Sequence, residues 1–321
     1  MRIAFLMDPI ENVLVDKDTT FALMLSAQAR GHEVFTLGPR EVFARDGSVF
    51  AALHRTRVRR AERPGHATVE PAVITDLREV DAVFIRTDPP FDAHYLYVTL
   101  LLEQLRGDVL LVNDPRGLRD ANEKLYAMHF PEVTPRTLVA CGEDEIRAFL
   151  SDIGTVGVIK PLDGAGGRGV MVLDPADKNF RSIIETLTDA GRRFAMVQEY
   201  LPAVRVGDKR VLLLDGEPLG AILRVPRADE ARSNIHVGGS VVPVALDDDD
   251  RRIIAALAPR LRADGLHFVG LDVIGGRLTE VNVTSPTGIQ ELARFEGTDP
   301  EGKVIAWAEA RAQSLRGVRA H

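Results

Sequence analysis

The chain has 321 residues, of which 45% are hydrophobic and 27% charged, as in ordinary globular proteins. This length predicts two or three packed subdomains. The net charge of −7 gives no general attraction to nucleic acid, and no apolar run reaches the roughly 18 residues of a membrane span. The single cysteine, Cys141, excludes an internal disulfide and a multi-cysteine metal site. The N-terminus lacks the basic region and cleavage site of a signal peptide, so we expect a cytoplasmic protein.

The first third of the chain predicts a parallel α/β sheet. Short apolar runs alternate with helix-compatible segments, as in βαβ units. Strands are predicted at residues 2–7, 33–37, 82–85 and 109–112, with helices between Asp18 and Gly31 and over 95–105. Residues 49–78 are basic and are expected to form a solvated strand and an irregular loop. The G-x-G-x-x-G turn of dinucleotide-binding folds is missing.

Arg86 follows the predicted strand at 82–85, at the edge of an open α/β sheet where ligands bind. An arginine there is suited to clamp a substrate carboxylate. A structural ion pair with a neighbouring acid explains the same spacing equally well. The Asn113-Asp114-Pro115 run then breaks the chain, and a helix is predicted to begin at residues 120–124 and to carry Lys124.

A glycine-rich turn between two strands follows, with four glycines among residues 164–169. Glycines let backbone N–H groups approach a ligand closely and form an anion nest. Lys160 stands at the mouth of this loop, where it adds a point charge for a phosphate. The loop lacks the G-K-[ST] sequence of the P-loop. The alternative is a flexible hairpin tip, which the lysine and the apolar flanking strands disfavour.

The next segments predict a strand, an exposed linker, a hairpin and a long loop. The strand at 195–199 runs into a linker that is able to offer backbone hydrogen bonds to an adenine edge. Asp208–Glu217 reads as a hairpin with an Asp-Gly turn, and Arg210 opens its first strand. Residues 224–243 contain three arginines and two glycines, which favours a lid over anions. A helix over 247–263 and a closing helix over 301–315 are also predicted.

The hairpin at residues 268–283 organises the rest, because it carries Asp272, Glu280 and Asn282. A simple two-residue Gly275-Gly276 turn pairs Asp272 with Thr279 and puts Glu280 on the other face. A bulge or longer loop pairs Asp272 with Glu280 instead. Two carboxylates about 4 Å apart repel by roughly 4 kcal/mol, so that arrangement needs a cation. With the Asn282 amide they form an oxygen set suited to Mg²⁺. An ordinary hairpin with solvated acids is the alternative.

Together these segments resemble the ATP-grasp fold, and more closely the bacterial glutathione synthetase family. The resemblance covers nearly the whole chain. Its motifs are Met7-Asp8-Pro9, Arg86-Thr87-Asp88-Pro89-Pro90-Phe91-Asp92, Lys160-Pro161-Leu162-Asp163-Gly164, Gly207-Asp208-Lys209-Arg210, Val269-Gly270-Leu271-Asp272 and Glu280-Val281-Asn282-Val283-Thr284-Ser285-Pro286. It implies an N-terminal parallel α/β (pre-ATP-grasp) domain over 1–121, then a two-subdomain ATP-grasp fold over 122–200 and 201–321.

The resemblance also implies the reaction and its residues. The expected reaction is ATP-dependent ligation of γ-glutamylcysteine and glycine through an acyl phosphate, with Mg²⁺, or Mn²⁺ in its place, on Asp272, Glu280 and Asn282. Arg210 and Lys160 are the expected catalytic residues. The expected ATP contacts are Lys124, Lys160, Gly164, Gly166, Gly167, Gln198, Glu199, Tyr200, Leu201 and Lys209. The expected dipeptide contacts are Arg86, Asp208, Arg210, Arg232 and Asn234.

Three further expectations complete this interpretation. The partners are small molecules, without nucleic acid or membrane, and the family resemblance implies a homotetramer. The main alternative is a sister ATP-grasp ligase that joins a different acid and amine, because it would share every residue that binds the nucleotide. A non-catalytic nucleotide-binding regulator is the second alternative, but it would be expected to lose a lysine or a metal ligand.

Overall fold

The computed structural model describes residues 1–164, 166–226 and 240–319, whose strands form three sheets. The strands of the first sheet are β1 (Arg2–Leu6), β2 (Glu33–Leu37), β3 (Val42–Arg45), β4 (Ser48–Val58), β5 (Ala67–Val69), β6 (Val73–Asp76), β7 (Ala82–Ile85) and β8 (Leu110–Val112). Their order is β3-β4-β2-β1-β7-β8, and β5 and β6 pair with β4. Strands β2, β1, β7 and β8 are parallel, as predicted.

Helices α1 (Thr19–Ala29), α2 (Ala93–Leu102) and α3 (Pro115–Asp120) connect the strands of this first sheet and lead out of it. Helix α1 begins where the sequence predicts, because the Asp18 carboxylate accepts a hydrogen bond from the Phe21 N–H at 2.6 Å. The parallel strands all end toward the same edge, and Arg86 follows β7 there.

The second sheet contains β9 (Thr137–Ala140), β10 (Gly157–Pro161), β11 (Met171–Leu173) and β12 (Ala195–Glu199) in the antiparallel order β11-β10-β12-β9. Helices α4 (Glu143–Ile153) and α5 (Phe180–Leu187) pack on it. Ile146, Ile159 and Phe180 lie in a buried cluster that belongs to this unit alone. The second sheet therefore has its own core, and its glycine-rich loop leaves from the end of β10.

The third sheet contains β13 (Asp208–Leu214), β14 (Glu217–Val225), β15 (Ser240–Pro243), β16 (Phe268–Ile274) and β17 (Arg277–Asn282) in the order β15-β14-β13-β16-β17. Helices α6 (Asp248–Ala263), α7 (Ile289–Glu296) and α8 (Pro300–Arg319) accompany it. Phe21 of α1 shares a buried cluster with Phe268 of β16 and Val304 of α8. The first and third sheets thus share a core, which fixes Arg86 relative to the β16–β17 hairpin.

Two sequence expectations differ from the structure, and helix α4 was not predicted. Residues 49–78 are not mainly irregular, because β4 is an 11-residue strand that pairs with four others. No helix begins at residues 120–124: helix α3 starts at Pro115, capped by Asp114, and Lys124 precedes a short 3₁₀ turn over Leu125–His129. Proline fits the first helical position, so it starts a helix here rather than only breaking the chain. Helix α7 was not predicted. No helix of the described ranges is long and apolar enough to cross a membrane.

Asn113 joins the end of the first sheet to the third sheet. Its buried amide donates to the Phe268 carbonyl at 2.8 Å and to the Val283 carbonyl at 2.7 Å, and its oxygen accepts from the Phe268 N–H at 2.8 Å. Each partner lies more than 150 residues away in sequence. One side chain therefore satisfies three backbone groups at the base of the hairpin.

Asn113→Ala is expected to lower the free energy of unfolding by about 3 kcal/mol, because it leaves these buried backbone groups without partners. Urea denaturation measures the change. Asn179→Ala is the matched control, since the Asn179 side chain is exposed and makes no capping hydrogen bond. Equal stability of the two variants would contradict the bridging role of Asn113.

Candidate active site

The β16–β17 hairpin places its two carboxylates opposite each other. Both Gly275 and Gly276 have positive φ, at 56° and 72°, and form a two-residue turn. The register then shifts at Thr279, so Asp272 pairs with Glu280 and Gly270 with Asn282. The hairpin thus combines the two-residue turn with a bulge. The bulge puts Glu280 on the same face of the sheet as Asp272. Asp272, Glu280 and Asn282 all line one cleft.

Two arginines hold Asp272 in place. Arg210 Nε donates to Asp272 Oδ1 at 2.6 Å and Arg210 Nη2 to Oδ2 at 3.1 Å, across the β13–β16 register. Arg224 Nη2 lies 3.0 Å from Asp272 Oδ2 and 2.5 Å from Asp208 Oδ2. Burial alone would raise the pKa of Asp272, but Arg210 and Arg224 hold it well below its usual range. The carboxylate is therefore charged throughout the physiological pH range.

Two lysines face Glu280 from the other side of the cleft. Lys124 Nζ lies 3.1 Å from Glu280 Oε1 and donates to the Gly164 carbonyl, which ties it to the glycine-rich loop. Burial lowers the pKa of Lys160, while Glu280 opposes that effect and Lys124 adds to it. In the sequence Lys124 alone indicated little, but the structure buries it beside Glu280.

A narrower cavity of about 160 Å³ lies between the second and third sheets. Its walls include Lys124, Lys160, Gly164, Gly166, Gly167, Gln198, Glu199, Tyr200, Leu201, Asp208, Asp272 and Glu280. Gly166 and Gly167 adopt φ values of 63° and 73°, which glycine reaches without strain. The Gln198 amide donates to Thr137 Oγ1 at 3.0 Å and so is directed into the sheet. This cavity combines a cationic end, formed by Lys124 and Lys160, with the linker over residues 199–201.

The larger part of the cleft, about 680 Å³, extends toward the first sheet. Arg86 lies there, buried, with Nε donating to Thr20 Oγ1 at 3.1 Å and Nη2 to the Pro286 carbonyl at 2.9 Å. Within the described part of the chain its Nη1 has no hydrogen-bond partner. Burial lowers the pKa of Arg86. Among the described residues Arg86 therefore forms no salt bridge, which was the alternative that its sequence position left open.

One predicted residue, Lys209, lies away from both cavities. Lys209 alternates with Asp208 and Arg210 along β13 and points the other way. Its ammonium lies 2.7 Å from Asp247 Oδ2 and 2.5 Å from Asp250 Oδ2, so it secures α6 instead of lining either cavity. Arg232 and Asn234, with most of the predicted lid at 224–243, lie outside the described residues.

The donor set of the hairpin fits a hard divalent cation. It offers two carboxylates and one amide, all oxygen ligands of the kind that Mg²⁺ prefers. Among the residues that the structure describes, no group of three or more His, Cys, Asp or Glu side chains could hold a metal. The site therefore suits a cation that takes only a few protein ligands and completes its coordination with phosphate oxygens and water.

Models of two protein families match the chain. Residues 1–119 match the model of the prokaryotic glutathione synthetase N-terminal domain. Residues 123–297 match the model of the prokaryotic glutathione synthetase ATP-grasp domain. Glutathione synthetase of Synechococcus elongatus is 46% identical over 319 residues, covering 97% of this chain and 98% of that protein. The Synechocystis protein of the same name is 44% identical, covering 96% and 99%. This chain belongs to the prokaryotic glutathione synthetase family.

Solved structures agree on the fold. D-cycloserine synthetase DcsG superposes with a TM-score of 0.65 at 17% identity, covering 98% of this chain and all of its own. The ATP-grasp ligase PsnB, complexed with minimal precursor, Mg and ADP, superposes with a TM-score of 0.62 at 16% identity, covering 97% and 98%. The predicted family and ATP-grasp fold are confirmed.

Sequence reasoning missed several residues that line the cleft. Arg224 was assigned to the loop, yet it lies in β14 directly opposite Asp208. Glu123 was read only as part of a helix start, but one carboxylate oxygen accepts from the Val283 N–H, the Thr284 N–H and Thr284 Oγ1, at 2.9 to 3.1 Å. Burial raises the pKa of Glu123 and nearby Glu280 adds to the effect. In the sequence, only the position of Glu123 next to Lys124 indicated that it belongs to the site.

Asp272→Asn is expected to lower the free energy of unfolding by about 3 kcal/mol, because it leaves Arg210 and Arg224 buried without their shared anion. The folded-state pKa of Asp272 lies below its usual value. Its contribution is therefore present at neutral pH and lost only as the pH falls below about 4. Urea titrations at about pH 8 and about pH 5 should give the same deficit.

Asp248→Asn is the control for this variant, since Asp248 lies fully exposed in the first turn of α6 and should tolerate the change. A deficit for Asp272→Asn no larger than that of Asp248→Asn would show that the arginines do not depend on Asp272.

Proposed function

We propose that the chain ligates γ-glutamylcysteine to glycine, with ATP converted to ADP and phosphate. The observation that carries this proposal is the identity of 44–46% to glutathione synthetases over nearly the full length of both chains. The site supports it, because a cleft with convergent cations, two facing carboxylates and a glycine-rich loop meets the demands of phosphoryl transfer.

The reaction has two steps. The cysteine carboxylate of the dipeptide attacks the γ-phosphorus of ATP, which forms an acyl phosphate and releases ADP. The glycine amine then attacks the acyl carbon, phosphate leaves, and the amine loses its proton as the amide forms. Neither step needs a covalent residue of the protein. Its task is to neutralise charge, align the reactants and keep water away from the acyl phosphate.

The cations of the cleft supply the charge neutralisation. Lys160 and Lys124 are proposed to hold the ATP phosphates, and Gly164, Gly166 and Gly167 to cover them with backbone N–H groups. Arg210 is proposed to stabilise the acyl phosphate and the tetrahedral species that follows it. Its Nε and Nη2 are bound to Asp272, and its Nη1 donates to the Thr287 carbonyl at 3.3 Å, so its position is fixed before substrate arrives.

Asp272, Glu280 and Asn282 are proposed to hold Mg²⁺, with Mn²⁺ as a substitute. Bound there, the cation would offset the charge of the nucleotide phosphates. Gln198, Glu199, Tyr200 and Leu201 are proposed to receive the adenine. Lys209 is dropped from this set because of its ion pairs with Asp247 and Asp250.

Arg86, Asp208 and Arg210 are proposed to bind the dipeptide, and Arg232 and Asn234 remain predictions for the same role. The domain limits 1–121, 122–200 and 201–321, the homotetramer and the cytoplasmic location also remain predictions.

The test is ADP release by the purified chain with Mg-ATP, γ-glutamylcysteine and glycine, omitting each component in turn. We expect release that depends on both the dipeptide and glycine, with formation of the tripeptide confirmed by mass spectrometry. If the chain binds ATP but its ADP release does not depend on the dipeptide and glycine, the result would agree with the ATP-grasp fold and contradict the proposed substrates.

Glu280→Gln is expected to reduce this turnover at least about 100-fold, because it removes the negative charge that faces the proposed cation and pairs with Lys124. Circular dichroism should show an intact fold, as Glu280 is only half-buried. The Mg²⁺ concentration needed for half-maximal activity should rise in any residual turnover. Near-normal activity would contradict the metal assignment.

Lys160→Met is expected to weaken ATP binding about tenfold, since it removes a half-buried point charge from the proposed phosphate end of the narrow cavity. Isothermal titration with a non-hydrolysable ATP analogue measures the affinity. Lys178→Met is the matched control, because Lys178 is an exposed lysine of the same sheet unit. If Lys160→Met binds the analogue as tightly as Lys178→Met does, Lys160 has only a structural role.

A further inference from the structure

The narrow cavity and the larger part of the cleft share a boundary. The described residues that line both of them are Gly166, Arg168, Asp272 and Glu280. Asp272 and Glu280 come from the β16–β17 hairpin, whereas Gly166 and Arg168 come from the glycine-rich loop after β10. The boundary is therefore formed by two acids of the hairpin and by a loop that carries one arginine.

Arg168 is the one cation that lines both cavities among the residues that the structure describes. Lys124 and Lys160 line only the narrow cavity. The other basic residues that line the larger part of the cleft do not line the narrow cavity, and they are Lys17, Arg86, Arg210 and Arg224. The positive charge at the boundary thus depends on Arg168.

The guanidinium of Arg168 is exposed, and it makes no hydrogen bond or ion pair with a described residue. The other arginines of the cleft are engaged. Arg210 and Arg224 are both bound to Asp272. Arg86 donates to a hydroxyl group and to a backbone carbonyl. Within the described part of the chain, Arg168 alone among these arginines leaves every N–H group of its guanidinium free for a ligand.

The ends of the glycine-rich loop pack against Pro161, the last residue of β10. A Cβ atom added at Gly164 would lie 2.7 Å from Pro161 Cγ, and one added at Gly169 would lie 3.0 Å from the same atom. Glycine permits this close approach because it has no Cβ. Arg168 is the one long side chain among the described residues of this loop, and it leaves from a base that packs on the second sheet.

We propose that Arg168 is a catalytic residue, which binds the phosphoryl group while it passes from ATP to the dipeptide. This inference rests on the proposed function, and it adds a side chain to a loop whose proposed role so far uses only backbone N–H groups. In this step an oxygen of the dipeptide carboxylate forms a bond to the γ-phosphorus. The bond from that phosphorus to the bridging oxygen breaks, and its electron pair stays on ADP. No proton moves.

The transferred group needs a cation at the boundary between the two cavities. Its negative charge is spread over its equatorial oxygens, with the attacking and leaving oxygens roughly in line. The leaving oxygen belongs to the nucleotide in the narrow cavity and the attacking oxygen to the dipeptide in the larger one, so the phosphorus crosses the boundary. Asp272 and Glu280 also line it, but they are anions. The planar guanidinium of Arg168 is able to donate two parallel N–H bonds to the phosphoryl oxygens.

The experiment measures phosphoryl transfer in a single turnover of the full chain. Enzyme in excess over ATP is mixed with Mg²⁺, γ-glutamylcysteine and glycine, and ADP is measured after rapid quenching, so that slow product release does not mask the step. Arg168→Ala removes the guanidinium, and Arg168→Lys keeps a single positive charge. Arg181→Ala is the matched control, because Arg181 is an exposed arginine on α5 of the same sheet unit.

Arg168→Ala should transfer the phosphoryl group about 100- to 1,000-fold more slowly than wild type, as expected when a cation that contacts the transferred group is removed. Arg168→Lys should recover part of this loss, and so should free guanidinium ion added to Arg168→Ala. Affinity for a non-hydrolysable ATP analogue and steady-state KM for the dipeptide and for glycine should stay within about threefold of those of Arg181→Ala, because the contact forms with the transferring group.

A second readout does not depend on turnover. ADP with aluminium fluoride and γ-glutamylcysteine mimics the planar phosphoryl group between its attacking and leaving oxygens. Wild type and Arg181→Ala should bind ADP at least about tenfold more tightly when aluminium fluoride and the dipeptide are present, since the mimic engages Arg168. Arg168→Ala should lose most of this gain while it binds ADP alone as wild type does.

Several outcomes would overturn the assignment. A transfer rate for Arg168→Ala equal to that of Arg181→Ala would show that the guanidinium is only solvated. Weaker binding of the ATP analogue with an unchanged transfer rate would place it on the nucleotide, and a selective rise in KM for glycine would place it on the glycine carboxylate. Wild-type enzyme without dipeptide- and glycine-dependent ADP release would overturn the proposed function together with this inference.

Discussion

The pairing of Asp272 with Arg210 and Arg224 is the interaction on which the rest of the site depends. Three neighbouring strands of the third sheet contribute to it: Arg210 from β13, Arg224 from β14 and Asp272 from β16. An isolated buried charge is very unfavourable, whereas these two arginines are balanced by two carboxylates, because Asp208 also pairs with Arg224. It holds Arg210 and Asp272 through contacts within the protein itself, so the part of the cleft that is proposed to be catalytic is shaped by the chain's own residues.

Charge is distributed along the cleft in an order that matches the proposed reactants. Lys124, Lys160 and the glycine-rich loop lie toward the narrow cavity, where the nucleotide is proposed to bind. The facing carboxylates of the hairpin stand between that cavity and the larger one, since Asp272 and Glu280 line both. Arg86 occupies the far end. The reacting carboxylate would therefore meet the γ-phosphate at the boundary, with the rest of the dipeptide held away from it.

Local sequence signals predicted most elements that begin or end at clear capping or turn residues. The Asp18 cap of α1, the Asp215-Gly216 turn and the glycine-rich loop after β10 were all placed correctly, because caps and turns are determined by neighbouring residues. The motifs also gave the family and the fold. Helices α4 and α7 were missed, since each begins after a glycine, Gly142 and Gly288, that offers no side-chain cap. Partners distant in sequence stabilise both.

The sequence by itself determined which chemical groups are present, the family of the chain and its ATP-grasp fold. Only the tertiary structure decided how those groups are used. The bulge at Thr279 put Glu280 opposite Asp272, alternation along β13 turned Lys209 away from the site, and packing against the hairpin buried Lys124 beside Glu280. The physical reason is common to all three: register, strand face and burial depend on contacts between residues far apart in the chain, which no local pattern encodes.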